Sequence, residues 1–200
     1  MRSVEKDVQA ALESLPPMPP RQLEPLFIIL VGLPGTGKTH FSRLLEERLP
    51  VITIRTDEVR KALFKAPTYR PAESYWVYRV CHKLIEELLG QGVGVIFDAT
   101  NLFERNRRQL YDIASRTGAR LAVISIVAPE EEVRKRLEAR QLSPEPWDLS
   151  DATWEVYQSM KGSVEPIRCP HYVVDTSQDL QSSVDRLVKE LMQARQDKDS

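Results

Sequence analysis

The chain has 200 residues, 28% charged and 42% hydrophobic, the balance of one folded domain with a small appendage rather than of a disordered chain. Its 28 basic and 29 acidic residues leave a net charge of −1, so there is no globally basic nucleic-acid surface, though a local patch stays open. No apolar run approaches the ~18 residues of a membrane span, and the charged start MRSVEKDVQAALESL does not suit a signal peptide. The expectation is a cytoplasmic protein with no membrane contact.

In chain order, Val4, Val8, Ala11, Leu12 and Leu15 form a helical stripe. PPMPPRQLEP follows, with five of the fourteen prolines, and cannot continue a helix. Residues 1–24 therefore read as a short helix on an extended linker. The helix either packs back on the body or offers a contact to a partner. From there, apolar β-branched runs stand at 26–31, 51–56, 93–97, 121–127 and 171–175, separated by helical patterns. Runs that are apolar throughout mean strands buried on both faces, and their alternation with helices means a parallel sheet covered on each side. This body spans 25–196. A turn-rich stretch at 141–152, with a helix-start signal at Ser150-Asp151, reads as a short lid. Residues 197–200 are expected to fray.

The first strand ends in Gly32-Leu33-Pro34-Gly35-Thr36-Gly37-Lys38-Thr39, which fits GxxxxGK[ST], and a helical segment follows at once. Glycines let the loop wrap so that backbone N–H groups face phosphate oxygens, and the helix N-terminus adds partial positive charge. Lys38 would reach the β- and γ-phosphates, and the Thr39 hydroxyl would ligate Mg²⁺. ATP is favoured over GTP because no NKxD-like segment is present.

The second strand delivers Asp57, with Arg60 one turn on. Asp57 can take the proton of an attacking hydroxyl and Arg60 can orient the acceptor; a helix cap and a surface charge are the alternatives. The third strand closes on Asp98, the Walker B form, in which the carboxylate holds magnesium; here too a helix cap is the alternative. Arg105, Arg107 and Arg108, beside Glu104, read as a solvated face or an anion contact. After the fourth strand, Arg136 and Arg140 share a helix face that Arg134 cannot join. Closing over a triphosphate and plain solvation are both open to them. Among Tyr69, Arg70, Tyr75, Tyr78, Arg79 and His82, aromatics beside arginines could stack a base, frame a polar metabolite, or be ordinary surface. Cys81 belongs to the core stripe Val77, Val80, Cys81, Leu84, Leu88. The two cysteines, Cys81 and Cys169, form no metal or redox motif.

Taken together, GLPGTGKT, TDEVR, VIFDATN, and VRKRLEAR with SDATWEVY resemble the P-loop kinases related to 5′-OH polynucleotide kinases, a group often labelled AAA family ATPases. The resemblance covers about residues 26–176. It implies a three-layer α/β/α P-loop fold with about five parallel strands in the order 2-3-1-4-5, and γ-phosphate transfer from ATP to a hydroxyl. On that resemblance Asp57 is the general base and Arg60 serves the acceptor; Lys38 of the phosphate loop and Arg140, taken as the lid arginine that screens the transferring charge, complete the expected catalytic set. Residues 32–39 and Arg136 bind the nucleotide, and Thr39 and Asp98 hold Mg²⁺. One departure stands out. The polynucleotide kinases carry Asp-Thr-Asn near strand three, whereas this chain has Asp98-Ala99-Thr100-Asn101. The Asp thus falls one position earlier, as in small-molecule members of the wider group. The expected acceptor is a 5′-OH nucleic acid or a small metabolite or antibiotic. An ATP-binding regulatory switch is the remaining alternative.

Overall fold

The computed structural model describes residues 3–142 and 150–196. Five strands, β1 (Leu26–Val31), β2 (Val51–Arg55), β3 (Gly94–Asp98), β4 (Arg120–Val127) and β5 (Tyr172–Asp175), form one sheet in the order β2-β3-β1-β4-β5. All four pairings are parallel. The expected strand order and layering are therefore present. The expected lid falls largely at 143–149, outside the described residues, as does the tail 197–200.

The layering follows from the side-chain alternation of a strand. β1 is buried at all six positions. Phe27, Ile29 and Val31 point into one core with Ile52, Ile54, Val95 and Phe97. Leu26, Ile28 and Leu30 point into the other with Ile96, Ala122, Ile124 and Val174. α1 (Val4–Glu13), α4 (Pro71–Gly90) and α5 (Glu104–Thr117) cover the first face, with Val59 of α3 (Thr56–Leu63). α2 (Lys38–Glu46) and α8 (Leu180–Gln196) cover the second. Each large apolar side chain so buried stabilises the fold by roughly 1.5–3 kcal/mol. A smaller cluster of Val133, Leu137 and Tyr157 joins α6 (Glu130–Leu142) to α7 (Trp154–Lys161).

The N-terminal helix lies against the body. Val8 and Ala11 are buried, and the Trp76 indole N–H donates to Asp7 at 2.7 Å. The linker is tied down as well, through Gln22, whose amide N–H donates to the Gly92 carbonyl at 2.6 Å and whose side chain donates to the Pro50 carbonyl at 2.8 Å.

Two local expectations are corrected. The start signal at Ser150-Asp151 does not begin a helix; Thr153 caps α7 by accepting from the Val156 N–H. Asp151 is engaged elsewhere, as described below. Arg107 is neither a solvated face nor an anion contact. It is fully buried and donates to the carbonyls of Asn101, Leu102, Glu165 and Pro166 and to the Glu104 carboxylate. A guanidinium's planar fork of donors suits several carbonyls at once. It thereby ties the loop after β3 to the segment that follows α7.

Arg107→Ala should lower unfolding free energy by about 3–5 kcal/mol, because it orphans buried carbonyls and a carboxylate; urea denaturation would measure it. His82, with its ring edge-on to Tyr78 and Phe97, gives a second expectation. Burial lowers its pKa to about 4, against a weaker raising effect from Gln109. Between about pH 4 and 6.5 the unfolded chain binds more protons, so stability should fall on acidification through that window, by up to ~3 kcal/mol. Unfolding curves of His82→Phe over the same range should lack this slope.

Candidate active site

The phosphate loop leaves the centre of the sheet, and its glycines stand where no side chain fits. A Cβ on Gly32 would lie 2.5 Å from the Ile126 carbonyl oxygen of β4. Gly35 (φ +78°) packs on Val133 and Leu137 of α6, and Gly37 (φ +91°) on Thr176. Positive φ at the last two is the left-handed region that glycine enters without strain. Gly37 is also the N-cap of α2, so the loop runs straight into a helix N-terminus. Within the loop, the Thr36 hydroxyl and the Lys38 ammonium both donate to the Leu33 carbonyl, at 2.8 and 2.9 Å. Thr176, just after β5, closes the loop from outside by donating to the Thr36 carbonyl at 2.7 Å. Arg136 in turn donates to the Thr176 hydroxyl at 2.8 Å and to its carbonyl at 3.0 Å.

Asp98 ends β3 beside the loop and is 6% exposed. The Thr39 hydroxyl donates to it at 2.9 Å, and the Arg55 guanidinium lies 3.8 Å away. Burial raises the Asp98 pKa, while Lys38, Arg55 and Thr39 act to lower it. Arg55 is itself anchored by Glu46 at 2.8 Å and by Ser42. Asp98 is not a helix cap: α5 begins several residues on, with Phe103 at its N-cap. Among the described residues, no cluster of three or more His, Cys, Asp or Glu side chains makes a self-contained metal site. Thr39 and Asp98 offer two adjacent hard oxygens. That donor set fits Mg²⁺, which keeps waters and completes its shell with phosphate oxygens.

Asp57 sits in the first turn of α3, whose N-cap is Arg55 with no side-chain cap, so it does not cap the helix either. Burial raises its pKa, with Arg60 and Lys38 acting against the rise and Asp98 and Asp151 adding to it. Arg60 is 5% exposed and is bound to Glu73 at 2.6 Å. Its guanidinium also lies over the Tyr69 ring, 4.5 Å from the centroid. Glu73 accepts three more bonds, from the Thr68 N–H and hydroxyl and the Tyr69 N–H. Burial alone would raise its pKa, but the Thr68, Arg60 and Tyr69 donors outweigh it and hold Glu73 to about 2. The Tyr69 hydroxyl donates to Asp151 at 2.6 Å.

One cavity of about 1060 Å³ joins these parts. Lys38, Thr39, Asp57, Arg60, Asp98, Arg136 and Arg140, the sequence candidates outside the loop's first turn, all line it. Arg134 does not; it faces outward and pairs with Glu138 at 2.7 Å. Of the candidate aromatics, Tyr69 and Tyr78 reach the cavity, whereas Tyr75 is 66% exposed elsewhere. Sequence reasoning missed Arg55, Glu73, Asp151 and Thr176. Asp151 lies in the SDATWEVY segment but reads there only as a helix start; the other three lie in no recognisable motif, and each of the four acts through a partner elsewhere in the chain.

Comparison with known proteins places this geometry. The family described as "AAA domain" matches residues 27–167. The L-seryl-tRNA(Sec) kinase of Methanococcus maripaludis is 30% identical over 116 residues, 56% of this chain and 44% of that relative. The chain thus matches less than half the length of that protein. Kti12 of Chaetomium thermophilum in complex with ADP-AlF3 superposes with a TM-score of 0.68 at 20% identity, over 84% of this chain and 98% of that one. The Mycobacterium tuberculosis APS kinase CysC in complex with AMPPNP and APS gives 0.64 at 14% identity, over 86% and 99%. The fold is the P-loop kinase type, and proteins that share it bind ATP analogues. No helix among the described residues is long and apolar enough to cross a membrane.

Gly37→Ala should weaken nucleotide binding at least about tenfold, since forcing a Cβ into the left-handed region costs ~1–2 kcal/mol and presses it against Thr176. Titration with a fluorescent ADP analogue would measure the loss.

Proposed function

The chain belongs to the AAA domain family, and from that premise we propose that it is an ATP-dependent phosphotransferase acting on an acceptor hydroxyl. The observation that carries this reading is a juxtaposition. Asp57 faces the same cavity as the phosphate loop, and no hydrogen bond occupies its carboxylate among the described residues. A half-buried carboxylate on that cavity's wall, its pKa raised by burial, suits a base for an acceptor hydroxyl.

In this reading the loop amides, the α2 N-terminus and Lys38 hold the triphosphate. Thr39 and Asp98 would hold Mg²⁺, which supplies charge neutralisation on the β- and γ-phosphates. Arg55 keeps Asp98 placed for that role. Asp57 takes the acceptor proton, and its raised pKa makes it a stronger base than an ordinary carboxylate. Arg136, anchored on Thr176, flanks the nucleotide. Arg140, one turn on along the same face of α6, screens the transferring charge. Catalysis of this kind is mostly positioning and electrostatics.

The finer identity of the acceptor has two readings. The motif resemblance supports a 5′-OH polynucleotide, with Arg60 on the acceptor strand's phosphates. A small metabolite is favoured by a specific observation: Arg60 is already paired with buried Glu73.

With ATP, Mg²⁺ and a panel of 5′-OH oligonucleotides and small hydroxyl compounds, Asp57→Asn should cut transfer of labelled γ-phosphate by about 10²–10⁴-fold and leave ATP affinity nearly unchanged. Undiminished transfer in this variant would remove Asp57 as base. The wild-type rate should fall on acidification with a midpoint above the ordinary Asp value of ~3.9, because protonation disables the base. The variant's residual rate should lack that limb.

A further inference from the structure

The charge distribution in the cavity reaches further, to the chemical class of the acceptor, on the basis of the kinase reading above. Lys38 stands on the phosphate loop, and Arg136 and Arg140 stand on α6. The opposite wall comes from α3, the segment around 69–78, the loop after β3, and residues 150–160. Its guanidinium is Arg60, and that charge is cancelled at 2.6 Å by Glu73, itself 8% exposed. Glu73 cannot turn away to release it, because Thr68 and the Tyr69 N–H grip the same carboxylate. The Tyr69 ring covers the guanidinium from another side. Among the described residues, what remains on this wall is the Asp57 carboxylate and the Asp151 carboxylate, the latter oriented by the Tyr69 hydroxyl. The other described lining residues there, Ser74, Tyr78, Thr100, Phe103, Val156 and Met160 among them, are neutral.

A phosphate or carboxylate beside the reacting hydroxyl would meet two like charges and a guanidinium already neutralised. Pockets of ~300–1,000 Å³ hold single drug-sized ligands. A cavity of about 1060 Å³ therefore suits a nucleotide with a compact acceptor. We infer that the acceptor is a small hydroxyl compound bearing no phosphate or carboxylate, either a neutral polyol or an amino alcohol, and that Glu73 sets this preference by cancelling the charge of Arg60. In the transfer, the acceptor O–H bond breaks and its proton passes to Asp57. The acceptor oxygen bonds to the γ-phosphorus, and the bond from that phosphorus to the β,γ-bridging oxygen breaks to release ADP.

The test uses the full chain with labelled ATP and Mg²⁺ against matched acceptor pairs. These are nucleosides beside their 3′-monophosphates, inositol beside inositol 1-phosphate, and neutral sugars beside amino sugars. The expected result is a kcat/KM at least about tenfold higher for the phosphate-free member, the scale of one like-charge contact near a protein surface. The sugar pair separates polyol from amino alcohol. Glu73→Gln, which keeps an acceptor oxygen for Thr68 but restores the net charge of Arg60, should narrow the ratio about tenfold at unchanged ATP affinity; a merely structural role would lower both members alike. The wild-type ratio decides the matter even if that variant fails to fold. Preference for the phosphate-bearing members would overturn the inference and leave the kinase reading standing. Transfer to no member, with ATP bound normally, would sink the kinase reading and the inference with it.

Discussion

The structure depends first on how closely the backbone packs around the end of β1. Three glycines in one loop touch three different elements: Gly32 the β4 backbone, Gly35 the side chains of α6, and Gly37 Thr176 after β5. None of these approaches leaves room for a Cβ at ordinary contact distance. Because the loop is wedged in this way, every wall of the cavity is placed relative to it. β4 and α6 bring Arg136 and Arg140, β3 brings Asp98, and β2 brings Arg55 and Asp57. The central position of β1 makes this possible, since both of its neighbours, β3 and β4, are hydrogen-bonded to it.

The second organising feature is the partition of charge. Burying a guanidinium or carboxylate is costly unless it is paired and hydrogen-bonded. Here the charged groups around the cavity form short-range sets: partly buried Arg55 with Glu46, Glu58 and buried Asp98, and buried Arg60 with buried Glu73. Asp57 stands apart from both, turned to the cavity with a raised pKa. Among the described residues its carboxylate holds no hydrogen bond, whereas Asp98 accepts from Thr39 and Glu73 from Arg60, Thr68 and Tyr69. The same bonding that holds the Glu73 pKa low pairs its carboxylate with Arg60.

The arginines show how far residue type alone can mislead. Arg107 and Arg108 are adjacent and read alike in sequence. One is fully buried on four carbonyls, while the other is largely exposed beside Glu104. Arg134, Arg136 and Arg140 lie on one helix, yet only the latter two reach the cavity. Helical spacing anticipated the second distinction, because residues four apart share a face. Nothing local anticipated the first, because two of the four carbonyls that hold Arg107, those of Glu165 and Pro166, belong to a segment almost sixty residues further on.

The sequence by itself determined the fold class and the loop. Continuous apolar strands alternating with helices admit few arrangements other than a covered parallel sheet, and the 32–39 pattern specifies a backbone shape through its glycines. It also marked Asp57, Arg60 and Asp98, since strand ends in such a sheet all open on one crevice. Tertiary structure alone decided the charge state of that crevice. Glu73 lies thirteen residues from Arg60 across a turn with no signature, Asp151 meets Tyr69 from eighty-two residues away, and Thr176 meets Thr36 from one hundred and forty. Local sequence encodes periodicity and backbone shape. Which buried charge neutralises which other is a property of contacts between distant segments, and it exists only once the chain has folded.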